Sequence, residues 1–417
     1  MSPFKKLLQI LGVILITLCC SCKGSPSIDV PIIASGDVVV VGGGPAGVSA
    51  AYAAAREGAE VVLIEREGYL GGLWTGGLVL PLNASRAMEK DGTSRQSCTG
   101  IMGEMVSRLE GMKMLYPNEG HSGPVPDPEA TKYMLQCMLE EVGVQVIYYA
   151  LACGIVSDRH CIKAVEIETK SGRLAVTGKQ FIDCTGDGDV FAWAGEDFDL
   201  RKYHVGAMYR VGGVPEEMKL GTKTPIPGVR SLNIRSEYDQ NGLDVLNNSR
   251  LQNVIRKRIW EETEKLKKSE GGESIWLVDT PAKLGIRMTR VLKGQHCVTM
   301  EESMTWTEFP DCIGLAGRDA TAEYNGKEYK WYERPVWQIP YRSLLPRKTD
   351  NLLVAGRCCC FDEGLTWDAR EVGTCIVTGQ AAGTAAALCV REGTSPEHLQ
   401  VDLLQGVLRQ RRVRLVF

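Results

Sequence analysis

Apolar and polar positions along this chain fall into two alternating kinds of pattern. Continuous apolar runs at residues 38–41 and 61–64 have the length of strands buried on both faces, and further apolar strands read at 181–184 and 351–357. Looser alternation over 144–156, and over 162–168 against 174–177, predicts a meander. Helical spacing predicts helices at 45–57, 101–109 and 129–141, the last with Tyr133, Met134, Cys137 and Met138 on one face and Asp127-Pro128 as its cap and first turn. A charged helix carries Leu251, Val254, Ile255, Ile259 and Leu266 on its apolar side, and short strands read at 204–211 and 274–279. A helix of small residues fills 375–389. Strand, helix and strand in succession, with the runs fully apolar, predict an α/β chain built on a parallel sheet.

The first such unit, residues 37–66, carries chemistry. Gly42, Gly44 and Gly47 follow the first strand at the spacing of a dinucleotide-binding turn. Gly42 lets the chain turn sharply, Gly44 leaves room for a pyrophosphate against the backbone, and Gly47 lets the helix approach the strand. Pro45 and Ala46 open that helix, whose free N–H groups and positive dipole end face the phosphates. The second strand ends in Glu65, placed to accept the hydroxyls of an adenosine ribose, followed by Arg66.

At 417 residues the chain is long for one simple core, which suggests two domains. Hydrophobic content of 44% and charged content of 24% are ordinary for a globular protein, and a net charge of −3 gives no reason to expect a nucleic-acid partner. The N-terminus reads as a targeting segment: Lys5 and Lys6 precede an apolar stretch at 7–18, too short for a comfortable membrane span. Small residues then lead to Cys22, with Ser21 before it and a short tether behind it. The segment resembles a bacterial lipoprotein signal with Cys22 lipidated and Cys20 the runner-up; an uncleaved anchor or a hydrophobic tail of no consequence is the plain alternative. The expected product is exported and lipid-anchored to a bacterial membrane, facing the periplasm or cell surface. With the leader's Cys19, Cys20 and Cys22 set aside, no CxxC pair or Cys/His cluster among the remaining cysteines has zinc spacing, so no metal is expected.

Gly71, Gly72, Thr75 and Gly77 follow Glu65-Arg66, and this order resembles the FAD-dependent oxidoreductases of the glutathione-reductase-like fold. Later strings extend the resemblance over most of residues 37–411: Thr185-Gly186-Asp187 after a strand, Gly285-Ile286-Arg287 with Arg290 beyond, the strand ending in Gly356-Arg357, and Gly373-Thr374 opening the small-residue helix. The resemblance implies FAD as cofactor. The segment at Gly71 and Gly72 would run under the flavin, the strand near Leu151 would pass the adenine, and Thr185, Gly186 and Asp187 would close over the dinucleotide. Many relatives carry an acid where Arg357 stands; Asp189 reads as a solvent-facing turn residue. The small residues of the last helix are expected to pack on the strand, with its N-terminal end toward the flavin.

The expected architecture is a Rossmann-like FAD-binding domain, residues 37–197 and 336–417, interrupted by a mixed α+β substrate or cap domain at 198–335 and preceded by the leader, 1–22, and tether, 23–36. Arg370, Trp367 and Arg287 are the expected lining of the substrate cleft; the arginines either hold an anionic or hydroxylated substrate or brace the interface. His121, His204 and His296 are candidate bases among which geometry must choose. No CxxxxC follows Gly72 and no second GxGxxG occurs, so electrons are expected to leave to oxygen, a quinone or a redox protein. The leading expectation is an oxidoreductase acting on a small organic substrate such as a sugar or alcohol. A flavin monooxygenase and a non-enzymatic electron-transfer or scaffold lipoprotein are the rivals.

Overall fold

A computed structural model of the protein describes residues 28–117 and 123–417. The leader, Cys20, Cys22 and the candidate base His121 lie outside the described residues.

The fold is α/β, with a mixed sheet that follows from the apolar runs. Among the described residues the principal sheet has seven strands. Its parallel part runs Gln145–Ile147, Val61–Ile64, Ile32–Val41 and Gly172–Asp183 in that order. The last of these is twelve residues long and serves two partners. Its first half pairs antiparallel with Cys161–Thr169, as the expected meander, and its last residues pair parallel with Leu352–Val354. Register does the rest: Val41 stands opposite Ile64 and Asp183, and Asp183 opposite Val354. Four strands therefore stop at one level, and Gly42, Glu65, Cys184 and Ala355 emerge side by side at their carboxyl ends. That edge is where open α/β sheets hold ligands.

The first strand begins earlier than its apolar run. Residues 32–36, expected as tether, pair with residues 175–178. Their sequence hides this because one face is open: Ile32 and Ile33 are half exposed while Ala34 is buried. In the helix Pro128–Glu141, Asp127 caps as expected, accepting from the Glu129 and Ala130 N–H groups. The apolar face, however, is Thr131, Met134, Leu135, Met138 and Leu139, and Tyr133 stands 62% exposed. On the helix Val245–Lys267, Leu251, Ile255 and Ile259 are buried and Val254 is not.

The small-residue helix, Val372–Glu392, runs through the centre of the core. It alone among the described residues is long and apolar enough to cross a membrane, and its apolar window is wholly buried within the protein. Its small residues pack mainly on a helix rather than on the strand as expected. A Cβ at Gly379 would overlap the Ala46 carbonyl, and one at Gly383 the Ala50 carbonyl, both on the helix Pro45–Arg56. The two backbones are in contact because neither carries bulk there.

A second, smaller core lies under another sheet. Val205–Gly212 pairs with Arg230–Arg235 on one side and with Trp276–Asp279 and Gly285–Ile286 on the other, all antiparallel. Val205, Ala207, Tyr209 and Val211 meet Leu251, Ile255 and Ile259 of the covering helix. This core is built by a shorter stretch than the expected 198–335. Leu292, Val298, Ile313 and Leu315 belong to the main core, and Cys312–Ala316 pairs with Trp337–Pro340.

Candidate FAD and substrate site

One cavity joins the two cores. It encloses about 1520 Å³, counting the open solvent at its mouth. It is lined by Gly42, Gly44, Pro45, Ala46, Glu65, Arg66, Gly72 and Leu151, and by Thr185, Gly186, Asp187, Gly356 and Arg357. Gly206, Ala207, Met208 and Arg287 of the second sheet's side, with Arg370, Glu371 and Val372, complete the lining, and Cys375 stands beside Gly356, itself next to Ala46.

The glycines of the first turn have different duties. Gly42 adopts φ +99°, a left-handed conformation that an L side chain resists, and a Cβ there would press on the Cys184 carbonyl. A Cβ at Gly47 would overlap the Gly42 carbonyl oxygen. Gly44 is the opposite case: it lines the cavity, and a Cβ on it would meet no protein atom within 4 Å. It is the N-cap of the helix Pro45–Arg56 and makes no side-chain cap, so the first N–H groups of that helix point at open space. A helix start with bare N–H groups, a side chain missing where only a ligand would need the room, and a carboxylate at the next strand end together fit a dinucleotide.

Glu65 is 4% exposed and held from two sides, accepting from the Gly43 N–H at 2.7 Å and from the Glu67 N–H at 2.8 Å. Its fixed carboxylate borders the cavity beside Arg66 and Lys283. Asp187 ties three segments together. It pairs with Arg357 at 2.7 Å and accepts from the Thr289 hydroxyl at 2.8 Å, while Arg290 donates to its backbone carbonyl. Burial works against its ionisation, but Arg357 beside it outweighs that and holds the carboxyl below the usual range. Asp189, expected in solvent, instead begins a short helix, pairs with Arg290 at 2.9 Å and borders the cavity. Thr185 spends its hydroxyl on Asp183, a fully buried carboxyl that burial pushes up to about 6.

Several expected residues support the cavity without lining it. Gly47, inside the helix Pro45–Arg56, lies against the Gly42 carbonyl, and Gly71 takes φ +99° in a turn behind the cavity. Gly373 packs on Cys98, and the Thr374 hydroxyl donates to the Asp368 carbonyl, so Val372 and Cys375 present the helix start to the cavity instead. Trp367 is likewise absent from the lining; it sits behind Arg370, whose guanidinium lies 4.6 Å from its ring centre. The two arginines of the GIRMTR string divide: Arg290 braces the interface, and Arg287 faces the cavity. Of the described histidines, His296 pairs with Glu302 away from the cavity, whereas His204 is buried beside Arg287. Glu371, Cys184, Cys375, Lys283 and Arg235 were not singled out from the sequence, and all but Arg235 line the cavity.

A parallel-sheet crevice with a glycine turn, a helix start and an acid at the next strand end defines a dinucleotide-binding enzyme of the Rossmann-like kind. The profile of the family described as "FAD dependent oxidoreductase" matches residues 37–221 and 196–408. The chain belongs to that family, and it is a flavin enzyme whose cofactor is FAD. A thiamine thiazole synthase of Aeropyrum pernix is 57% identical over 42 residues, which are 10% of this chain and 16% of that protein's length. Among solved structures, a geranylgeranyl bacteriochlorophyll reductase-like protein of Thermoplasma acidophilum aligns at 14% identity over 91% of this chain and 84% of its own, with a TM-score of 0.48. The anhydrotetracycline hydroxylase of Streptomyces rimosus aligns at 14% identity over 91% of this chain and 68% of its own, with a TM-score of 0.46.

Proposed function

We propose that this FAD enzyme oxidises a small organic substrate held between the main core and the second sheet. The observation that carries the reading is the continuity of the cavity. The same space is bordered by the glycine turn, Glu65, Arg287 and Arg370. FAD held there would supply two-electron redox chemistry, the substrate losing two electrons and two protons overall and oxygen, a quinone or a redox protein serving as the final acceptor. The protein's own part is placement. The N–H groups after Gly44 receive the pyrophosphate, Glu65 holds the ribose, and Arg287 and Arg370 orient the substrate. Arg357 and Asp187 fix part of the cavity wall.

The glycine turn supplies the test. Gly44→Ala meets no protein atom but enters the ligand's space, so it should leave the melting temperature of the apoprotein unchanged and lower its affinity for FAD at least about tenfold. Gly47→Ala, which strikes the Gly42 carbonyl, should fail to fold stably. Equal FAD affinity in Gly44→Ala and the parent would place the cofactor elsewhere. Anaerobic bleaching of the purified flavoprotein by pools of small alcohols, sugars and acids then identifies the substrate; bleaching by none of them, with dithionite still reducing it, favours the electron-transfer reading.

We also propose that the chain is exported and lipidated at Cys22, supported by the order of Lys5-Lys6, the apolar stretch and Ser21-Cys22. Intact mass should show a mature chain starting at residue 22 with acyl additions; the mass of the full unmodified chain overturns it.

A further inference from the structure

Arg287 and Arg370 line the cavity, and Arg235 and His204 stand next to them outside its lining. Arg235 ends the strand Arg230–Arg235, Arg287 follows Gly285–Ile286, and Arg370 follows the short helix Thr366–Ala369. Antiparallel pairing sets Gly206 opposite Arg235, and Val205 opposite Ile286, so both cap arginines come to the end of one strand, beside His204. From the other side, Arg370 and Arg235 lie 4.6 Å and 6.0 Å from the Trp367 ring centre. The His204 ring is 5.9 Å from that of Trp367, 4.9 Å from that of Tyr238 and 4.7 Å from that of Tyr203.

These groups lack partners. Among the described residues, Arg235 makes no ion pair and no side-chain hydrogen bond, and the guanidinium of Arg287 makes one long bond, 3.4 Å, to the His204 carbonyl. Arg370 pairs with Glu371 at 2.9 Å, but its Nε is buried without a partner. His204 is 1% exposed, and both of its ring nitrogens are buried and unbonded. Buried polar groups are almost always satisfied, so a buried imidazole with two idle nitrogens among three guanidiniums points to something that binds there.

We propose that Arg287 and Arg370, backed by Arg235 and His204, form the receptor for the carboxylate of the substrate, so that the molecule oxidised is a small organic acid. The inference rests on the proposed oxidation at this junction and names the substrate class. Planar guanidiniums match a carboxylate in a bidentate manner, and Tyr203, Tyr238 and Trp367 pack behind the arginines, around His204. The charge balance agrees. Burial and then the other two arginines pull Arg287 down to about 10, and burial followed by the three arginines pulls His204 down to about 4, leaving the imidazole neutral at pH 7. Asp319 and Glu371, the acids nearby, are both pushed up, chiefly by burial.

The test is calorimetric titration of the FAD-bound protein with benzoate, with benzamide and with inorganic phosphate, repeated on Arg287→Gln and Arg235→Gln. Benzoate should saturate, perturb the flavin absorbance and weaken as salt rises; benzamide and phosphate should bind at least about tenfold more weakly. Each arginine variant should lose about tenfold or more in benzoate affinity at unchanged FAD content. Arg235, on an exposed strand end, is the variant that keeps the fold if the buried change does not. Benzamide or phosphate binding as tightly as benzoate, or variants that bind benzoate like the parent, overturns the assignment. Benzoate discrimination read by tryptophan fluorescence in protein that takes up no FAD would sink the functional reading and leave this one standing.

Discussion

Two arginine clusters sit on either side of one short segment, residues 368–371, and they are built on opposite principles. Behind it, Arg318 and Arg334 are fully buried, and every guanidinium nitrogen except the Arg334 Nε has a partner. Both pair with Asp368, at 2.9 Å and 2.6 Å, and they donate to the carbonyls of Pro335 and Ala320. In front of it, Arg235, Arg287 and Arg370 crowd around a partnerless histidine with one ion pair among the three. Elsewhere the chain follows the first pattern: Arg210 holds Asp279 and Asp127, and Arg357 holds Asp187. A buried guanidinium whose charge meets a carboxylate braces the fold; the front cluster, with one ion pair among three cations, is the one proposed above as a receptor.

Breaking the rear cluster should have the largest effect. Asp368→Asn leaves two buried cations facing a neutral amide and should destabilise the protein by about 3–5 kcal/mol. Denaturant unfolding checks this, and a loss below about 1 kcal/mol would abolish the contrast between the clusters. The front cluster should respond the other way. Arg287→Gln removes a cation held by one long bond, so stability should change by less than about 1 kcal/mol. Substrate-driven flavin reduction should fall about tenfold to a hundredfold, the loss of one or two charge-assisted bonds. An unfolded Arg287→Gln protein would make that residue a bracket too.

The smallest effect sharpens the comparison by pH. His204 titrates at about 4 in the folded chain against 6.5 unfolded. Between those values the unfolded state binds more protons, so stability is lost as pH falls from about 6.5 through 4. Melting temperatures of His204→Gln should fall less steeply over that window than those of the parent. Benzoate bound among the guanidiniums should flatten the parent's profile by favouring the charged imidazole; identical slopes in variant and parent would show that His204 does not feel its surroundings in this way.

The cofactor end was legible in the sequence because it is local. Strand, turn, helix, strand and Glu65 occur within thirty residues, and each carries its own signature. The substrate end was legible only in part. Arg287 and Arg370 lie within or beside recognisable strings, but Arg235 reaches them through strand pairing that no local pattern reveals. The face of the helix Val372–Glu392 was hidden for a different reason: residues 372–389 are buried all round, so no polar stripe marks which side meets the cavity, and Val372 and Cys375 take the places expected of Gly373 and Thr374. Period-2 alternation around residue 204, together with the arginine at 235, was the one available hint of a shared strand end.

The contact of Gly379 and Gly383 with Ala46 and Ala50 bears on how the chain is made. The helix that begins at the glycine turn is completed by a helix more than three hundred residues later, and the strand Leu352–Val354 that closes the crevice comes almost as late. Loop closure over such a separation is slow, and chains fold as their segments emerge. The mononucleotide half therefore waits, during synthesis, with the flank of its first helix bare. The cleft exists only once nearly the whole polypeptide is available, and truncation before residue 372 removes the cofactor site along with the end of the chain.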